Sequence, residues 1–154
     1  MAKVIFDTNF YTDLLSGYPK VVETFKKHIL ENDSILMPSI IMHEVLSNTK
    51  YEIELATQQA VDRYIRLSDN NIIGLTEQIA KKAAEIRRHY RIHYNNKLKA
   101  PDAIIAATAI LYGAILISNN YNDFKHAISD LGLNFFNPID DQKDLQKHRD
   151  SLKN

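Results

Sequence analysis

Four carboxylates stand where the residue pattern calls for apolar or capping side chains. Asp7 directly follows the β-prone run Val4-Ile5-Phe6. The end of such a strand in a parallel sheet opens onto the crevice that α/β proteins use for ligands, although a single aspartate there is equally a helix N-cap. Glu44 comes four residues after Ile40 and three after Ile41, on their helix face, and Val45 extends the same apolar stripe. An isolated buried acid is costly unless it is paired or bound to a cation. Asp102 precedes Ile105 by three residues, Ala106 by four and Ala109 by seven, on the apolar face of the most apolar helical segment. An acid in a first turn complements the helix dipole, which explains its position along the helix but not its face. Asp123 follows the run Ala114–Ile117 across Ser118-Asn119-Asn120-Tyr121-Asn122 and reads as a loop acid.

Taken together the four acids have more force than any one of them. In a doubly wound sheet the segments after successive strands gather at one edge. Several carboxylates at one spot repel one another and titrate upward unless a cation keeps them ionised. A set of oxygen ligands without His or Cys suits Mg²⁺ or Mn²⁺ and not zinc.

The elements that must position these acids read as alternating strands and helices. Strands are expected at Val4–Phe6, Ile35–Met37, Ile72–Leu75, Ala114–Ile117 and from Phe135. Helices are expected after Asp7, through Val21–Leu30, from Ile40 to Leu46, from Glu52 to Leu67, from a Thr76 cap to Tyr94, and from Ala100-Pro101-Asp102 to the Gly113 stop. Continuously apolar strands alternating with helices predict an α/β fold with a mostly parallel sheet covered on both faces. The chain of 154 residues fits one domain, expected over residues 1–139, followed by a charged tail at 140–154 anchored by Leu145 and Leu152 as a surface helix or a frayed end.

In this order the residues resemble the PIN-domain ribonucleases, and among them the VapC-like toxins of bacterial toxin–antitoxin pairs. The matching stretches are Val4–Asn9, Pro38-Ser39 with Glu44, Lys99–Ala109 and Leu116–Phe124, which together span nearly the whole chain. The resemblance implies a three-layer α/β/α domain in which Asp7, Glu44, Asp102 and Asp123 are the catalytic residues and hold Mg²⁺ or Mn²⁺. Thr8, Asn9, Ser118 and Asn120 fall at the supporting polar positions. This branch often has threonine and then a basic residue where Ser118 and Asn119 stand; the hydroxyl is kept. The resemblance also implies an antitoxin partner and a homodimer, with which the apolar and tyrosine residues Ile53, Leu55, Tyr64 and Ile65 are compatible.

Lys+Arg 19 against Asp+Glu 19 leaves no net charge, so binding to nucleic acid needs a local patch. Between Lys81 and Lys99 seven cations face the single acid Glu85, a local charge of +6. Arg87, Arg88, Arg91, Lys97 and Lys99 run directly into Asp102, and His89, Tyr90, His93 and Tyr94 interleave as a surface that grips phosphates and stacks bases would require. The expectation is an RNA-binding rim; a solvated helix face is the alternative.

Several chemistries drop out. The absence of cysteine removes disulfides, zinc–thiolate sites and thiol nucleophiles, and suits a reducing compartment, so a cytoplasmic protein is expected. The longest apolar run, Ala103–Ile117, has 15 residues, short of the roughly 20 of a membrane helix. His89 and His93 have zinc-protease spacing, but Tyr90 replaces the required glutamate. There is no glycine-rich phosphate loop and no Gly-x-Ser-x-Gly elbow. An Asp-based phosphatase wants a second aspartate at the position of Asn9. The expected activity is metal-dependent endoribonucleolysis, against a PIN-like scaffold that binds RNA or protein without cutting, or a housekeeping PIN nuclease without an antitoxin.

Overall fold

The computed structural model describes residues 1–153. The chain runs β1 (Lys3–Phe6), α1 (Thr8–Leu15), α2 (Pro19–Leu30), β2 (Ser34–Pro38), α3 (Ser39–Leu46), α4 (Leu55–Leu67), β3 (Ile72–Ile73), α5 (Glu77–Tyr94), α6 (Ala100–Tyr112), β4 (Ile115–Ile117), α7 (Tyr121–Asp130), β5 (Asn134–Phe136) and α8 (Gln142–Ser151), with a 3₁₀ turn at Asp69–Asn71 before β3. All strand pairings are parallel, in the order β3-β2-β1-β4-β5. This is the α/β class that alternating strands and helices predict. No described helix is long and apolar enough to cross a membrane.

β1 is the hinge of the topology. Val4, Ile5 and Phe6 are 0% exposed, because the strand is paired on both edges and covered on both faces. The chain winds from β1 outward to β2 and β3, then crosses back to β4 and winds the other way to β5. The point of reversal lies between β1 and β4, whose ends are in register at Phe6 and Ile117. Such a switch point leaves a crevice, because the connections leave neighbouring strands in opposite directions.

Local chemistry sets the helix ends. The Thr76 hydroxyl accepts from the Ile79 amide (3.2 Å) and starts α5. Pro101 occupies the first turn of α6, and Gly113 closes that helix with φ +64°, a conformation that costs glycine little. Some features differ from the expected ones. β3 ends at Ile73 and not at Leu75, because its neighbour β2 ends opposite it at Pro38. Helix α4 begins at Leu55, since residues 48–54 close turns of their own on Asn48 and Lys50. The last strand is not continuously apolar in burial: it is an edge, and Phe136 is half exposed.

The charged C-terminal segment forms α8 and is fastened to α1 and α2. Leu145 is buried, whereas Leu152, the other expected anchor, is 55% exposed. The fastening is mostly polar. Arg149 donates to both oxygens of Asp13 (Nε 3.1 Å, Nη2 2.8 Å), Tyr18 donates to Asp144 (2.8 Å), and His148 meets the Ser16 hydroxyl (3.1 Å). Asp13 is 2% exposed, so its charge relies on this fork. Arg149→Ala is therefore expected to destabilise the protein by about 2–4 kcal/mol, mainly by leaving the Asp13 carboxylate buried and unpaired. Urea unfolding measures the loss, and hydrogen exchange should show α8 opening first; a loss below about 0.5 kcal/mol would show that the fork adds nothing.

Candidate active site

The crevice between β1 and β4 is built around Asp7. Its backbone continues the sheet by donating to Ile117 O (3.0 Å), which places its side chain at the mouth of the switch point. The carboxylate is only 5% exposed. It accepts from its neighbour's amide, Thr8 N (2.8 Å), from Asn9 Nδ2 (3.2 Å) and from the Ser118 hydroxyl (2.8 Å). Burial pushes its pKa up, the nearby Glu44 charge adds to that, and the three hydrogen bonds pull against both.

Each supporting polar residue has a definite task. Asn9 ties the two strand ends together: its Nδ2 also reaches Ser118 Oγ (3.1 Å), and its Oδ1 accepts the Asn119 amide (3.1 Å). Ser118, fully buried, accepts the Asn120 amide (3.0 Å) while donating to Asp7. Asn120 in turn donates to Asp123 Oδ2 (2.7 Å). The Thr8 hydroxyl donates to Glu44 Oε1 (3.0 Å), linking the start of α1 to α3. An unbroken chain of hydrogen bonds thus runs from Asp7 through Ser118 and Asn120 to Asp123.

Asp123 is not a loop acid. It sits in the first turn of α7, with Asn120 at the helix N-cap position. A sequence of small polar residues reads as loop, but here Ser118–Asn120 is a three-residue joint whose side chains replace the missing ladder. Asp102 lies in the first turn of α6 and is pushed up to about 6. Desolvation is the main cause; the charges of Asp7, Asp123 and Glu44 add to it, and Lys99 opposes it. All four expected acids therefore bear on one another electrostatically.

The arrangement fits a hard divalent cation by its donors: four carboxylates, supported by hydroxyl and amide groups, without imidazole or thiolate. No three of these four carboxylates bring their oxygens within 4.8 Å of one another. Among the described residues, the His/Asp/Glu trio with ligand atoms within 4.8 Å of one another is His28, Glu31 and Asp33, at the start of β2. That trio belongs to a structural tie, in which Asp33 pairs with His28 (2.7 Å) and accepts the Ala2 amide (3.0 Å), joining α2 to the starts of β1 and β2.

The basic segment divides. Arg87, Arg88, Arg91 and Lys97 line a groove of about 280 Å³ on α5 and the loop after it, and Arg87 Nε is held by Leu98 O (3.1 Å). Lys99 is set apart, next to Asp102. Of the interleaved aromatic residues only His93 and Tyr94 are exposed, Tyr94 to 41%. Tyr90 is 1% exposed, His89 pairs with Asp130 (2.9 Å), and Tyr94 donates to Asp130 while stacking on His126 at 3.5 Å. The sequence carried the signal: Ile79, Ala83, Ile86 and Tyr90 follow helical spacing and are the buried face of α5. Tyr64 and Ile65 likewise turn inward, whereas Ile53 and Leu55 are 77% and 67% exposed.

Crowding acids in this crevice has a cost that pH should reveal. Asp102 binds a proton more readily in the folded chain than its ordinary 3.8, so its contribution to stability is fully present below about pH 3.8 and is lost as pH rises through about 6. Asp102→Asn is expected to stabilise the metal-free protein near neutral pH by about 1 kcal/mol after solvent screening, or a few degrees in Tm. The gain should shrink as the pH approaches about 4. Calorimetry across this range is the check; a variant less stable than wild type at neutral pH contradicts the repulsion.

Residues 4–128 match the PIN domain family. No curated protein matches the chain. Among solved structures, a chain in the toxin–antitoxin complex from Klebsiella pneumoniae is 29% identical, with 88% of this chain and 98% of that one covered and a TM-score of 0.60. The FitAcB structure from Neisseria gonorrhoeae gives a TM-score of 0.71 at 22% identity, covering 88% and 97%. VapBC2 from Rickettsia felis, bound to a DNA fragment from its promoter, gives 0.68 at 20% identity, covering 88% and 98%. With the family matched over most of its length and the all-parallel α/β sheet that goes with it, the chain belongs to the PIN-domain family.

Proposed function

We propose that the protein is an endoribonuclease dependent on Mg²⁺ or Mn²⁺, and the toxin of a toxin–antitoxin pair. PIN domains are generally nucleases, and PIN nucleases generally use divalent metal ions. The observation that carries the reading is the hydrogen-bonded frame at the switch point, which links Asp7 through Ser118 and Asn120 to Asp123 and Thr8 to Glu44, beside an Asp102 raised to about 6 first by burial and then by the other three charges. Carboxylates held in such strain are a feature of functional sites and have no use in a scaffold.

In this reading Asp7, Glu44, Asp102 and Asp123 hold the cation, which supplies an activated water and neutralises charge at the scissile phosphate. The chain's own contribution is preorganisation. Ser118, Asn9 and the Thr8 amide fix Asp7 in one orientation, Thr8 Oγ1 fixes Glu44, and Asn120 fixes Asp123. Arg88, Arg91 and Lys97 offer a cationic path for the RNA backbone toward Lys99 and Asp102. The exposed Ile53 and Leu55 suit a protein contact, either the homodimer or the antitoxin. An antitoxin is proposed because the solved structures of similar fold include toxin–antitoxin complexes.

RNA cleavage should require Mg²⁺ or Mn²⁺, stop in excess chelator, and fall more than about a hundredfold in Asp102→Asn. In-line attack by water leaves 5′-phosphate and 3′-hydroxyl ends, which end-group analysis reads directly. Cyclic 2′,3′-phosphate ends would overturn the metal mechanism, and intact protein that binds RNA without cutting it would return the scaffold reading.

Expression alone should arrest growth, and co-expression of a cognate neighbouring small protein should relieve it. Light scattering at micromolar concentration should show a dimer. Harmless expression would favour a housekeeping nuclease, and a monodisperse monomer would remove the dimer.

A further inference from the structure

We propose that Tyr90 is a positioning residue for the metal site: its hydroxyl, set between the Asp123 carbonyl and the Ala127 amide, fixes where the first turn of α7 holds the Asp123 carboxylate. The proposal rests on the reading of Asp123 as a metal ligand. Tyr90 Oη donates to Asp123 O (2.7 Å) and accepts from Ala127 N (3.1 Å). These two backbone groups are the i and i+4 partners that an α-helix joins across one turn. A side chain from α5 has therefore entered the ladder of α7 at the turn that carries the site acid.

A hydroxyl has one proton to donate and lone pairs to accept with, and here both functions go to that one turn. The ring has no freedom to swing, since Tyr90 is 1% exposed and its edge packs on His126 at 5.2 Å between centroids. Asp123 is thus held from two sides, its backbone by Tyr90 and its carboxylate by Asn120 (2.7 Å). Proximity to the site has an electrostatic trace as well. Burial raises the Tyr90 pKa, and the charges of Asp123 and Asp102 both raise it further. A tyrosine buried only to fill space would need one acceptor anywhere; this one spans the turn that orients a ligand.

The test is Mn²⁺ binding to the intact protein by calorimetry, with the electron paramagnetic resonance spectrum of the bound ion as a second readout. Tyr90→Phe keeps the ring and removes the clamp, and should raise the Mn²⁺ Kd about tenfold or more, as loss of outer-shell support does at metal sites, while the bound-ion spectrum broadens. Tyr11→Phe is the control, a second buried tyrosine whose hydroxyl makes no hydrogen bond to α7 or the site acids, and should leave both readouts unchanged. Asp123→Asn separates the two levels of the argument. Weakened binding in Asp123→Asn with wild-type binding in Tyr90→Phe overturns the positioning role alone; wild-type binding in both overturns the ligand assignment as well. Should Tyr90→Phe fail to fold, Mg²⁺ titration of the ¹⁵N-labelled wild type decides: the Ala127 amide and the Tyr90 hydroxyl proton should shift together with saturation, and unmoved resonances overturn the proposal.

Discussion

A single buried carboxylate, Asp7, joins the two halves of this molecule. It ends β1, caps α1 through the Thr8 amide, and accepts the hydroxyl of Ser118 at the end of β4. Those two strands are adjacent because the winding direction reverses between them, and the reversal opens the space that a charged group can occupy without being sealed in. Burying an unpaired carboxylate at 5% exposure would be prohibitive. Three hydrogen bonds from short donors make it tolerable, and all three come from residues within three positions of a strand end.

The remaining acids add repulsion. Asp102 is raised to about 6, first by burial and then by the charges of Asp7, Asp123 and Glu44. A fold selected for stability alone would place an amide or an alanine at each of these positions. The hydrogen-bond chain from Asp7 through Ser118 and Asn120 holds Asp7 and Asp123 in fixed orientation. The cost is confined to the carboxyl edge of the sheet. At the opposite edge, His28 and Asp33 form an ordinary structural pair.

Helix α5 has two faces with separate tasks. Ile79, Ala83, Ile86 and Tyr90 face inward, and Tyr90 carries that face through to the backbone of α7. Arg87, Arg88 and Arg91, offset from it around the helix, line the groove with Lys97. One element therefore fastens the first turn of α7 through its buried face and presents cations on another.

Patterns repeating over a few residues determined much of this. The alternation of apolar runs with helical spacing was enough for the parallel α/β class, and Thr76, Pro101 and Gly113 marked helix ends because capping is a local matter of one backbone group and one side chain. Asp7, Glu44 and Asp102 were visible as acids at a strand end or on apolar faces, whereas Asp123 read as a loop acid and gained weight only beside the other three. What sequence spacing could not contain was the contact across more than 100 residues between Asn9, Ser118 and Asp7, which exists only once β1 and β4 pair. Nor could it assign the task of Tyr90: helical spacing with Ile79, Ala83 and Ile86 marks it as buried, but only the packing of α5 against α7 brings its hydroxyl to the Asp123 carbonyl and the Ala127 amide. Likewise the charged tail carries almost no apolar signal, and it is ordered by Arg149 finding the one buried aspartate on α1. Local propensity is written in neighbouring residues; burial and long-range pairing depend on which distant surfaces the fold brings together, and that is decided by the tertiary structure alone.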